Sequence, residues 1–184
     1  DTLYSSGNYD PYSLFDYGTY TNTTAFIDGK YQATTGTYLG TDFFQESTYK
    51  GDWVCIKMVE PIALTSYSIY QRSGTYTPRA PKNFKIYASN DGTTWTTLQT
   101  ITNASYTSLI YTNTALSGNT TTYQYYCLAV NVLVGGTTAS TILNFIEWVI
   151  DGKRLIENLI SPTSGGSGGG GFGNSLITQP GATA

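Results

Sequence analysis

The 184-residue chain contains no histidine. That removes the usual general base, the commonest zinc ligand and the ordinary switch near neutral pH. Ser-His-Asp, Cys-His and His-metal hydrolase schemes have nothing to be built from. Charge is scarce too: nine Lys and Arg stand against twelve Asp and Glu, a net charge of −3. The basic residues are scattered and form no run, so a phosphate-tracking patch for nucleic acid is excluded. No apolar stretch is long enough to span a bilayer as a helix. The twelve acids fall mostly in turns, which leaves little for a paired-carboxylate glycosidase. Two cysteines occur, Cys55 in "DWVCIKM" and Cys127 in "YQYYCLAV". Both sit in strand-like runs, which leaves a cross-strand disulfide or two buried thiols open, and their spacing carries no metal signature.

The polar load falls instead on Thr, Ser, Asn, Gln and Tyr. Thr and Tyr suit half-buried pleated strands, and Gly and Asn suit turns. This is the composition of an all-β protein that works outside the cytoplasm or on the surface of a particle. The chain opens at Asp1 without an initiator Met or a signal-peptide pattern, as a processed product or a piece of a longer protein would. Sequons stand at Asn22, Asn103 and Asn119.

Residues 1–24 are aromatic without a helical or strand period, with Tyr4, Tyr9, Tyr12, Phe15, Tyr17 and Tyr20 among Gly, Asn, Asp and Pro. Disordered tails are poor in aromatics. This stretch reads as an arm laid on a surface, its own barrel or a neighbour's. From Trp53 the pattern alternates. "WVCIKM" places Val54, Ile56 and Met58 on one face until Pro61 breaks it, and "IALTSYSIYQR" follows as a second strand. "APKNFKIYAS" turns Phe84, Ile86 and Ala88 inward and Lys85 and Tyr87 outward. "NDG" at 90–92 is a tight-turn signal, and "TWTTLQTI" is its return strand. "YQYYCLAVNVLV" and "TILNFIEWVI" are two later strands. Short strands at this spacing predict a β-sandwich jelly roll. The expected organisation is an aromatic arm (1–24), a jelly-roll domain (25–155) and a Gly/Ser-rich linker and tail (156–184).

Several motifs, in order, resemble the discoidin domain, also called the coagulation factor five/eight type C domain, and the related family 32 carbohydrate-binding modules. They are "AFIDG" (25–29), "GDWVCIKM" (51–58), "YSIYQR" (67–72), "PKNFKIYASNDGTTWTTL" (81–98), "YQYYCLAV" (123–130) and "FIEWVIDG" (145–152). The resemblance implies a galactose-binding-like jelly roll that binds sugars, phospholipid head groups or proteins through loops at one end. "IDGK" occurs at 27–30 and again at 150–153. The first copy precedes a loop and the second ends a strand, so they are two Asp-Gly turns and not an internal repeat.

The resemblance also implies a structural Ca²⁺ held by Asp28, the carbonyls of Ala25 and Lys30, Thr34 or Thr35, and Glu147. Calcium takes six to eight oxygens of this kind. Here Lys30 follows Asp-Gly where the family often has Asn, and its ammonium is an alternative charge partner to a metal. Glu147 paired with Lys or backbone amides, with Asp28 as a turn residue, is the plainer reading. For a sugar, the resemblance implies that Arg72 grips hydroxyls while an aromatic from Tyr38, Phe43, Phe44 or Tyr76 stacks on the ring. A planar donor fork and an aromatic platform suit a pyranose. The plainer readings are a surface or ion-paired Arg72 and aromatics packed beneath their loop. The expected function is a non-catalytic carbohydrate-binding or adhesion module, extracellular or on a particle, that meets glycans or a surface receptor. The alternative is a scaffold or decoration domain of a virion or phage-like assembly. In either case the arm and the tail are the segments expected to meet neighbouring subunits.

Overall fold

The structure, a computed structural model, describes residues 14–15, 30–136 and 141–154 in full and the backbone of 26–28. Among the described residues eight strands carry the fold: β1 (Phe26–Asp28), β2 (Asp52–Tyr70), β3 (Pro81–Ser89), β4 (Thr96–Ile101), β5 (Ile110–Asn113), β6 (Tyr123–Leu133), β7 (Leu143–Phe145) and β8 (Glu147–Lys153). One short 3-10 helix, Gly74–Arg79, follows β2. The larger sheet runs β4-β3-β6-β2-β5 with β8 also on β2, and β1 pairs with β7. This is the expected β-sandwich, built as a curled sheet.

The alternation read from β3 holds. Phe84, Ile86 and Ala88 lie in the main core, while Tyr87 faces the opposite side. From β6, Tyr126, Leu128 and Val130 join the main core and Cys127 and Ala129 turn outward. The second layer contributes Leu64, Tyr67, Ile69 and Trp148. Period-two patterning on strands with one core face requires this division.

β2 corrects the reading that Pro61 separates two strands. It is one strand of nineteen residues. Its first part pairs with β6 and its second with β5 and β8. The register slips between Lys57 and Ile62, where Val59 is 95% exposed. A bulge needs no ladder donor from proline, so Pro61 is tolerated there. A second slip between Leu64 and Ser66 moves the core positions from even numbers (Val54, Ile62, Leu64) to odd ones (Tyr67, Ile69). These two slips carry the strand from one layer to the other.

"TILNFIEWVI" is likewise not one strand. β7 pairs with β1 and β8 with β2, and Ile146 between them donates its N–H to the Tyr70 carbonyl at 2.7 Å. Cys55 and Cys127 are cross-strand partners joined by a disulfide, which settles the alternative left open by the sequence. They lie on the outer face with Tyr87, Ala129 and the half-buried Phe44, Trp53 and Trp95. Of the aromatic arm, Leu14 is fully buried in the main core and the Phe15 ring tilts against Trp148 at 5.8 Å. That part of the arm packs on its own sandwich. The rest of 1–24 and the whole 156–184 tail lie outside the described residues.

Candidate ligand-binding site at one end of the sandwich

Backbone hydrogen bonds gather several loops at the end where β3 begins and β6 stops. Val134 and Gly135 donate to the carbonyls of Ala80 and Pro78, both at 2.9 Å. Leu133 donates to Gly36, and Gly136 to Thr34. Gln71 donates to Leu109 at 2.9 Å, and Ala104 to Lys82 at 2.9 Å. The 32–37 turn, the 3-10 helix, the 102–110 connection and the 133–136 loop therefore share one end of the molecule. Gly74 starts the helix at φ +67°, in the left-handed region that glycine enters without strain.

Arg72 leaves β2 beside this helix and is only 7% exposed. Its Nη1 donates to the side-chain carbonyl of Asn144 on β7 at 3.3 Å. Its guanidinium lies 4.0 Å from the centre of the Tyr76 ring. Its Nε is buried with no hydrogen-bond partner among the described residues. Arg79, at the other end of the helix, sets its guanidinium 4.9 Å from the same ring. Burial first, and then the Arg72 charge, draws the Arg79 side chain below its ordinary pKa, with Tyr76 opposing. Two like charges are thus held on one aromatic ring that remains 37% exposed. The reachable face consists of Tyr76 and the half-buried Arg79, with Arg72 behind them. The structure brings Arg72 and Tyr76, both named from the sequence, together with Arg79 and Asn144, which the sequence did not single out. Arg79 sits seven residues beyond Arg72 in "SGTYTPR", a stretch with no strand period to mark it.

Beside Arg72 lies a pocket of about 270 Å³ lined by Tyr70, Gln71, Ser73, Ile110 and Ile146 under the Ser108–Leu109 turn. Among the described residues its walls mix apolar and neutral polar groups, with no Lys, Arg, Asp or Glu.

The remaining aromatic candidates do not join this site. Tyr38 is buried in the core, edge-on to Tyr31 at 5.1 Å, and its hydroxyl donates to Asp42 at 3.1 Å. Burial and then the Asp52 charge raise its pKa far above the ordinary value. A ring in that position cannot stack on a sugar. Phe44 wedges between Trp53, Tyr87 and Trp95, with ring centres 5.9, 5.4 and 4.8 Å away. It pins the 41–50 loop to the outer sheet face, where Glu46 also accepts from Lys85 at 2.6 Å and Tyr87 at 3.0 Å. Phe43 is exposed and bridges to Lys50.

The residues named for calcium are described in part. The Lys30 ammonium reaches Asp42 at 2.7 Å, and the Lys30 carbonyl accepts from Leu39 at 2.8 Å. The Thr34 hydroxyl donates to Gln32 at 3.1 Å, and Thr35 also turns to Gln32. Glu147 opens β8, buried. Among the described residues no three acids, cysteines or histidines come together. Asp28 lies on β1 opposite Leu143, with its side chain outside the described residues, as is Ala25.

The two-layer sandwich with its loops gathered at one end defines a galactose-binding-like domain. Residues 25–126 match the NedA-like, galactose-binding domain of the F5/F8 type C group. The match covers more than half of the chain, and the chain belongs to this family. Among solved structures, the family 32 carbohydrate-binding module of Streptococcus pneumoniae EndoD superposes with a TM-score of 0.57 at 13% identity, over 81% of this chain and 89% of that one. The Clostridium perfringens module CpGH89CBM32-6 gives 0.51 at 18% identity, over 82% and 90%. A fucolectin from striped bass serum, Morone saxatilis, gives 0.54 at 16% identity, over 84% of this chain and 45% of that one. At these identities the likeness is one of fold. No curated protein matches the chain.

Proposed function

We propose that this chain is a non-catalytic carbohydrate-binding module, with the sugar held at Arg72, Tyr76 and Arg79. The observation that carries the reading is the pair of guanidinium groups on one half-exposed tyrosine ring at the loop end. Arg79 supplies a fork of N–H donors to ring hydroxyls, Tyr76 supplies apolar surface, and Arg72, locked by Asn144, fixes the ring from behind. The arrangement has a donor set and a platform, which suits binding of a hydroxyl-bearing ring. The family and the carbohydrate-binding modules that share the fold support the same reading. We place the module outside the cell or on a particle surface, in keeping with its disulfide.

The test is a glycan array probed with the wild-type protein, Tyr76→Ala and Arg79→Ala. Selective binding by wild type that both variants lose is the expected result. A blank array from a folded wild-type protein would sink the reading and favour a scaffold role, in which the arm and the tail meet neighbouring subunits.

A further inference from the structure

The tip between the 102–110 connection and β5 adopts a conformation its residues do not favour. Thr107 and Ile110 exchange both backbone hydrogen bonds, at 2.9 and 3.0 Å, around Ser108 and Leu109. Both central residues have positive φ, 50° and 71°. Two-residue turns of this kind select Asn-Gly, because both centres must enter the left-handed region. A leucine there is an outlier that persists only where its surroundings hold it. Gln71 does so through its N–H on the Leu109 carbonyl, and the Leu109 side chain stays 37% exposed over the pocket. Residues held in sparsely populated backbone regions cluster at ligand clamps and switch regions, which directs attention to the cleft beside this turn.

The pocket's chemistry narrows its occupant. Tyr70, Leu109, Ile110 and Ile146 bring apolar surface to the lining, while Gln71, Ser73 and Ser108 bring neutral hydrogen-bonding groups. A neutral pyranose presents the matching surfaces, an apolar C–H face and a belt of hydroxyls. The pocket is somewhat smaller than the roughly 300 Å³ at which drug-sized sites begin, in keeping with a single sugar residue. Gln71 and Ser73 line the pocket and flank Arg72 in the chain, and Ser73 precedes the helix that carries Tyr76 and Arg79, so the pocket lies next to the elements of the first site in the chain.

We propose that the pocket under the Ser108–Leu109 turn is a second sugar subsite, which takes the neutral residue adjoining the one held at Arg72, Tyr76 and Arg79. The inference rests on the carbohydrate reading above. It makes the module a reader of a linkage between two sugars rather than of a terminal sugar alone.

The test uses titration calorimetry with paired probes: methyl glycosides of galactose, N-acetylgalactosamine, fucose and N-acetylglucosamine, each beside a neutral disaccharide with the same terminal sugar. At least one disaccharide should bind wild type about tenfold tighter than its methyl glycoside, the gain from about 1.4 kcal/mol of added contact. The S108N/L109G variant keeps the turn, removes the leucine side chain and should melt no lower than wild type. In it the disaccharide advantage should vanish while the methyl glycoside binds as before. Ile110→Gln, on the same wall, should act likewise. A disaccharide advantage retained in both variants would overturn the subsite. So would monosaccharide binding by wild type with no disaccharide gain. Silence of the whole panel against wild type would instead bring down the carbohydrate reading, and the subsite with it.

Discussion

Replacing Tyr76 by alanine removes the ring on which both guanidinium groups rest. The Arg72 contact, at 4.0 Å with Arg72 7% exposed, belongs with desolvated cation–π pairs, worth about 2 kcal/mol. The Arg79 contact, at 4.9 Å and closer to solvent, belongs with the weaker ones, worth about 0.5–1 kcal/mol. Tyr76→Ala should therefore lower unfolding stability by about 2–3 kcal/mol. With a urea slope of about 1–3 kcal/mol/M, that moves the denaturation midpoint by roughly 0.7–3 M. Tyr76→Phe keeps the ring face and should stay within about 0.5 kcal/mol of wild type. Fluorescence-detected urea unfolding of the three proteins decides the matter. A loss below about 0.5 kcal/mol in Tyr76→Ala, equal to that in Tyr76→Phe, would refute the claim that stacking organises this end.

Breaking the Cys55–Cys127 bridge frees a span of 72 residues, which chain entropy equates with about 4 kcal/mol. Cys55→Ala/Cys127→Ala should therefore unfold at clearly lower urea, and dithiothreitol should shift wild type but not the variant. Stability should also fall at both extremes of pH. Lys85, above all, holds Glu46 below its usual pKa, and the backbone amides of Thr94 and Thr93 hold Asp91 well below its own. Depressed carboxylates stabilise above their unfolded values near about 4, and that stability is lost as pH falls through the lower folded values. Burial raises Tyr31, Tyr67, Tyr87 and Tyr106, whose neutral phenols stabilise fully below the unfolded value near about 10. That contribution is lost as pH climbs through the raised values, so tyrosinate absorbance should emerge together with alkaline unfolding. Since Lys30 is turned to Asp42 and Thr34 to Gln32, chelator should leave the melting temperature unchanged. A drop on chelation that calcium reverses would return the metal to Asp28 and Glu147.

What could be read from the sequence was local and periodic. Phe84, Ile86 and Ala88 alternate with Lys85 and Tyr87, so one face of β3 had to be core. "SNDG" closes its hairpin because the Asp91 carboxylate accepts the N–H groups of Thr93 and Thr94 at 2.8 and 2.7 Å. Pro61 misled because a proline ends a regular ladder, but β2 leaves its ladder there in a bulge before crossing layers. The division at Ile146 leaves no mark in an apolar run, since β7 and β8 differ only in their partners. β1 and β5, three and four residues long, are set by those partners too. Of the residues gathered here, Arg72 was named from the family motif and Tyr76 as one of several loop aromatics. Arg79 and the Ser108–Leu109 turn were not, because a 3-10 helix and a left-handed leucine have no compositional signal. Tyr38 shows the converse: an aromatic in a polar loop stretch that the fold takes into its core.

The most direct test of the binding claim is an NMR titration of the ¹⁵N-labelled protein with the glycan that scores best on the array. The account predicts that the Nε–H signals of Arg72 and Arg79 and the amides of 73–77, 79 and 108–110 move together and saturate at one affinity. Saturable shifts confined to the exposed Leu39–Phe43 loop, with the arginine signals unmoved, would place the ligand elsewhere and contradict it.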